Sequence, residues 1–149
     1  MKSIIICASL ILGLAFQSCS KDDSESLTKS ELLCLDSWRI EAATTTSLGG
    51  NEDILDAFYI PCAKDDLITY AMTGTVLRDD NVDLCDGLPQ EANGTWELTD
   101  GDEKLTVQLD GGLAEFTVES LTRHMLELRF VTGYNGVAIV LTLRFVHED

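Results

Sequence analysis

From Trp38 to Phe145, apolar side chains recur at every second position, and the runs are separated by turn-forming residues. Trp38, Ile40 and Ala42 alternate with Arg39, Glu41 and Ala43. Leu67–Met72 is rich in strand formers, and Thr73-Gly74 supplies a turn into Thr75–Arg78. Gly94–Leu98 places Trp96 and Leu98 on one face, opposite Thr95 and Glu97. Thr99-Asp100-Gly101-Asp102 and Asp110-Gly111-Gly112 read as turns on either side of the Leu105, Val107, Leu109 run. Phe116 and Val118, then Leu126, Leu128 and Phe130, and last Ile139, Leu141, Leu143 and Phe145 keep the same alternation. Because successive side chains of a strand point to opposite faces, each strand has one buried and one wet face. About eight short strands joined by tight turns make an antiparallel meander. Such a meander can pack as two sheets or close on itself, and closure removes its exposed edges. The predicted fold is all-β: a small antiparallel up-and-down β-barrel of about eight strands with a short N-terminal helix.

The helix is signalled by Thr28-Lys29-Ser30-Glu31, which has the form of a capping box. Leu32, Leu33 and Leu35 are then expected to pack inward, with Cys34 beside them as a small buried hydrophobe. A segment this short is stable only when docked on something larger. Between Thr44 and Pro61 the strand signal lapses, and Gly49-Gly50 and the apolar Ile54–Ile60 stretch suggest a lid or contact region.

Upstream, Lys2 precedes an almost unbroken apolar run, Ile4–Phe16, of signal-peptide length and too short to span a bilayer. The run ends at Leu14-Ala15-Phe16-Gln17-Ser18-Cys19, which resembles a bacterial lipobox, with looser residues at Phe16 and Gln17. That resemblance implies diacylglycerol on the Cys19 thiol, and several acyl chains on one residue anchor stably. Ser20-Lys21-Asp22-Asp23 is similar to the acidic export tag of Bacteroidetes lipoproteins. The organisation expected is a signal peptide at 1–18, a lipidated Cys19 with an acidic tether over 19–27, and one domain over 28–149. The location expected is the outer membrane, exposed at the surface, with a periplasm-facing domain as the alternative.

Acidic residues number 26 against 10 basic ones, a net charge of −16. Such a surface repels phosphate backbones and disfavours nucleic-acid binding. Among candidate ligating groups, Asp79, Asn81 and Asp83 recur at alternate positions as calcium ligands would. Leu84 stands where a calcium loop needs glycine, and Gln90 where it needs an acid, so a solvated acidic loop is the preferred reading. His124 and His147, the two histidines, lie far apart, and neither a Cys-x-x-Cys nor a phosphate-binding or nucleophile motif occurs. No cofactor and no enzymatic activity are expected. Asn93-Gly94-Thr95 fits a glycosylation sequon but is read as a turn leading into the Trp96 strand.

Taken in order, several segments resemble the lipocalin-like lipoprotein domains of Bacteroidetes over roughly Leu32 to Val146. These are Leu32-Leu33 followed by Trp38, Pro61-Cys62-Ala63-Lys64-Asp65-Asp66 before a strand with Tyr70 and Gly74, then Cys85, Gly94-Thr95-Trp96, and the Leu105–Leu109 strand. The family opens its first strand with Gly-x-Trp, where this chain has Asp36-Ser37-Trp38. The resemblance implies that Trp38 plugs the closed end and that an Arg from a late strand, Arg129 or Arg144, packs over it. It also implies a Cys62–Cys85 disulfide, which would stabilise by about 3 kcal/mol in the chain-entropy model. Spacing alone leaves Cys34 with Cys62 or with Cys85 open.

Two functions follow. In the first, the barrel binds a small apolar or amphipathic ligand, with Trp38, Ile40, Tyr70, Trp96, Leu98, Phe116, Leu128 and Leu141 as candidate wall or core. In the second, those residues fill the interior, and the monomeric domain meets a surface protein or glycan through its loops.

Overall fold

The computed structural model describes residues 26–47, 50–58, 60–134 and 137–147. The expected signal segment and Cys19 lie outside these residues. Among the described residues, no helix is long and apolar enough to cross a membrane.

Among the described residues, the alternating runs form one antiparallel sheet of nine strands: β1 (Trp38–Ser47), β2 (Gly50–Asp53), β3 (Leu67–Ala71), β4 (Thr75–Asp79), β5 (Glu91–Thr99), β6 (Lys104–Leu109), β7 (Gly112–Leu121), β8 (Met125–Tyr134) and β9 (Val137–His147). From β3 to β9 each strand pairs with the next in sequence, and β9 returns to pair with β1. On its other edge β1 meets β3 through Trp38↔Ile68 and Arg39↔Leu67, which closes the barrel. The closed ring leaves out β2, which only hairpins with the far end of β1, from Thr44↔Asp53 to Ser47↔Gly50.

Turn chemistry sets the registers. Asp110 and Gly111, with φ of 53° and 75°, form the two-residue loop between Leu109 and Gly112. Both central residues of a type I′ hairpin need positive φ, and Asp-Gly suits that demand. The β5–β6 turn uses the same device at Asp100, Gly101 and Asp102.

The structure departs from the sequence expectations at several points. Gly94 lies inside β5 rather than in a turn, and glycine is needed there because a Cβ would sit 1.9 Å from the Gln108 carbonyl oxygen of β6. A bulge between Ile40 and Ala42 resets the parity of β1, so Ala43 rather than Ala42 is fully buried. Leu35 lies beyond the helix α1 (Lys29–Leu33) and is 42% exposed, whereas Leu33 is fully buried. The Thr44–Pro61 segment is not a bare loop: it extends β1, adds β2, and forms the one-turn helix α2 (Leu55–Phe58). Ile54 and Leu55 pack there against the core.

The end of the barrel where β1 begins and β9 finishes is closed. Helix α1 carries the expected capping box, with Glu31 N donating to Thr28 Oγ1 and Thr28 N donating to the Glu31 carboxylate. Lys29 Nζ donates to the Asp102 carbonyl in the β5–β6 turn, and Leu33 packs into the core beside Trp38. Trp38 is fully buried, and its indole Nε1 donates to the Leu33 carbonyl at 2.8 Å. Buried tryptophan satisfies both its apolar body and its single donor here. The ring lying over Trp38 is His147, with centroids 4.0 Å apart, and not an arginine. Arg129 and Arg144 alternate with inward residues and therefore point out, pairing with Glu119 and with Glu127 and Glu41 respectively.

Candidate ligand cavity

Residues of β3, β6, β7, β8 and β9 line an apolar cavity of about 280 Å³ that opens to solvent, just below the usual ~300–1,000 Å³ range for small-molecule pockets. Its lining is almost wholly apolar. Ile68 and Tyr70 contribute from β3, Val107 and Leu109 from β6, Phe116 from β7, Leu128 from β8, and Leu143 and Phe145 from β9. Leu113, 74% exposed in the β6–β7 hairpin, lines it at the rim.

Of the residues proposed from sequence as wall or core, Tyr70, Phe116 and Leu128 line this cavity. Trp38 and Ile40 belong to the packed core instead, and Trp96 and Leu98 lean against that core. Leu141 is buried but does not line the cavity. Trp96 still touches the site indirectly. Its ring meets Tyr70 edge-on at 5.7 Å, and its Nε1 donates to the Ala71 carbonyl. Indole fluorescence should therefore report on what happens beside Tyr70.

At the opposite end of the barrel from α1 stands a charged cluster that the sequence reading did not single out. Val76, Arg78 and Asp80 are the buried positions of β4 and its exit, an inward-facing series ending in opposite charges. Arg78 Nη1 donates to Asp66 Oδ2 at 3.2 Å and to Asp80 Oδ1 at 2.5 Å, and Nη2 donates to the Pro89 carbonyl at 3.2 Å. Nε lies 3.3 Å from Asp110 Oδ2. Asp80, with no exposed surface, also accepts from Cys85 N through Oδ2. Burial pushes the Asp66 carboxyl above its usual range, and Arg78 only partly offsets this. Burial acts against the Arg78 charge, but Asp66, Asp110 and Asp80 outweigh it and hold the guanidinium firmly protonated. The signal for this cluster in the sequence is the same-face pair Arg78 and Asp80, placed where alternation predicts an apolar residue.

The surrounding loop is covalently tied. Cys62 and Cys85 form a disulfide with Cα atoms 5.3 Å apart, and Cys34 remains a half-buried thiol. Asp65 Oδ2 accepts from Val82 N and Asp83 N, both at 3.0 Å. Of the calcium candidates, Asp79 is occupied by the Asn81 amide, and Asn81 Nδ2 and Asp83 N both turn to Asp65. Among the described residues, no group of three or more His, Cys, Asp or Glu is placed to hold a metal ion.

No family model matches the chain, and no curated protein is detectably similar to it. Among solved structures, the chain is similar to bovine odorant binding protein in complex with a selenium-containing odorant, at 19% identity and a TM-score of 0.45. The match covers 83% of this chain and 74% of that one.

Proposed function

We propose that this protein is a non-catalytic binding module, a lipocalin-like barrel that holds a small apolar or amphipathic molecule in its interior. The observation that carries the reading is the apolar cavity of about 280 Å³ among Tyr70, Phe116 and Leu128. A barrel of this size can be filled by its own side chains, so space left within it is a departure that a ligand would use. The lipobox-like segment ending at Cys19 supports a lipid anchor for this module in the outer membrane, with the domain facing outward. Alanine at Cys19 should then move the protein from the membrane to the soluble fraction.

The binding reading is tested by titrating the neutral fluorophore N-phenyl-1-naphthylamine into the protein. Saturable enhancement at one site is expected. Leu128→Trp, which fills the cavity from β8, should abolish it while leaving the thermal transition in place. A probe response unchanged by Leu128→Trp would refute binding inside the barrel.

A second reading has its own support. Val82, Leu84 and Leu88 in the β4–β5 loop are 77%, 59% and 49% exposed, at the same end as Leu113. Exposed apolar residues grouped at one end suit contact with a protein or glycan partner. A probe response lost on Leu84→Ser and kept in Leu128→Trp would favour that reading.

A further inference from the structure

Given the cavity reading above, one end of β7 governs what can enter. The same-parity residues of β7, followed toward the β6–β7 hairpin, are Val118, Phe116, Ala114 and Gly112. Val118 and Phe116 pack against the core, and the Phe116 ring lies 5.6 Å from that of Phe130. Ala114 and Gly112 line the cavity beside their register partners Val107 and Leu109, with almost no side chain to fill it. The facing strands keep their bulk, as in the pair Leu128↔Leu143.

Exposure runs in the same direction. Leu128, Leu143 and Phe145 are buried, whereas Gly112 and Leu113 are exposed. The cavity therefore opens beneath the β6–β7 hairpin. No described residue of Thr44–Pro61, the stretch expected as a lid, lines it. Nor does the backbone call for glycine at 112. Gly111 has a positive φ and Gly94 is pressed against Gln108, but Gly112 has neither constraint. A Cβ there would meet the Leu109 carbonyl oxygen at 3.5 Å, an ordinary contact. A larger side chain at 112 would stand in the opening, on the same face as Ala114.

We propose that Gly112 and Ala114 are the specificity-determining residues of this site. Their missing bulk leaves a mouth under the β6–β7 hairpin wide enough for compact, ring-built molecules as well as linear chains. The described lining carries no charged side chain, so the body it takes up is neutral.

Calorimetric titration of the full-length protein with 1-adamantanol, a compact cage, and 1-octanol, a linear chain, tests this directly. Both should bind the wild type. Gly112→Val should weaken adamantanol about tenfold or more and octanol about threefold or less, the scale on which misplaced methyl groups count in an apolar pocket. Glu115→Val adds the same bulk on the exposed outer face of β7 and should leave both within about twofold. Equal losses of the two alcohols in Gly112→Val, or none, would overturn the proposal. So would a wild type that takes octanol and refuses adamantanol. If the wild type takes adamantanol alone, retention of that binding in Gly112→Val would overturn it, and loss there but not in Glu115→Val would support it. Ala114→Leu, away from the turn, carries the same comparison should Gly112→Val not fold. If neither alcohol binds the wild type, the cavity reading falls and the mouth with it.

Discussion

His147 covers Trp38 at the closed end of the barrel, and its Nε2 is buried without a hydrogen-bond partner among the described residues. Burial holds this imidazole below the usual histidine range, against a pull upward from Asp36 and with a smaller push down from His124. The fold thus prefers the neutral ring. As pH falls through about 6.5, the unfolded chain protonates first, so stability drops until the lower folded value is passed. Above about 6.5 the contribution is complete. Urea unfolding should therefore show the wild type losing stability relative to His147→Phe between about pH 7.5 and 5.5. Asp66 acts with the opposite sign, since its raised carboxyl takes up a proton in the folded state first, but it is common to both proteins and cancels. Gly94 sets a second limit at this scale. Any side chain there meets the Gln108 carbonyl, so Gly94→Ala should destabilise by about 2 kcal/mol or more in denaturant titration.

Among the elements, the barrel wall is uneven. Strands β8 and β9 share ten register pairs, whereas β1 and β3 meet through two. Amide exchange should be slowest along β8 and β9 and fastest at the β1–β3 seam, because sparsely paired elements open at the lowest cost. The loop over the cluster depends on the disulfide from the Pro61–Ala63 turn to Cys85. Replacing both Cys62 and Cys85 by serine should cost about 3 kcal/mol in urea unfolding and should open the 80–90 loop to limited proteolysis. Loss of stability without new cleavage there would show that Asp80, Asp65 and Arg78 hold the loop by themselves.

For the whole molecule, alternation was a sufficient guide to the wall because water penalises the wrong face at every strand. The eight barrel strands lie where Trp38, Tyr70, Val76, Trp96, Leu105, Phe116, Leu128 and Leu143 place them. What alternation could not convey were local departures from it: the bulge after Ile40, the close approach at Gly94, and the tilted packing of His147 on Trp38 in place of an arginine. The cavity was half legible. Tyr70, Phe116 and Leu128 could be read as inward, but whether inward residues touch one another across a barrel depends on strand tilt and stagger, which no single strand encodes. The Arg78 cluster was hidden for a related reason: Asp66, Asp80 and Asp110 look like loop acids until the three loops are brought to one end.

The proposed ligand site is the space inside this barrel rather than its apolar rim. Methyl-resolved NMR of the protein titrated with octanol tests it most directly. Saturating shifts should concentrate on Val107, Leu128 and Leu143. Shifts confined to Val82, Leu84 and Leu88 would contradict it.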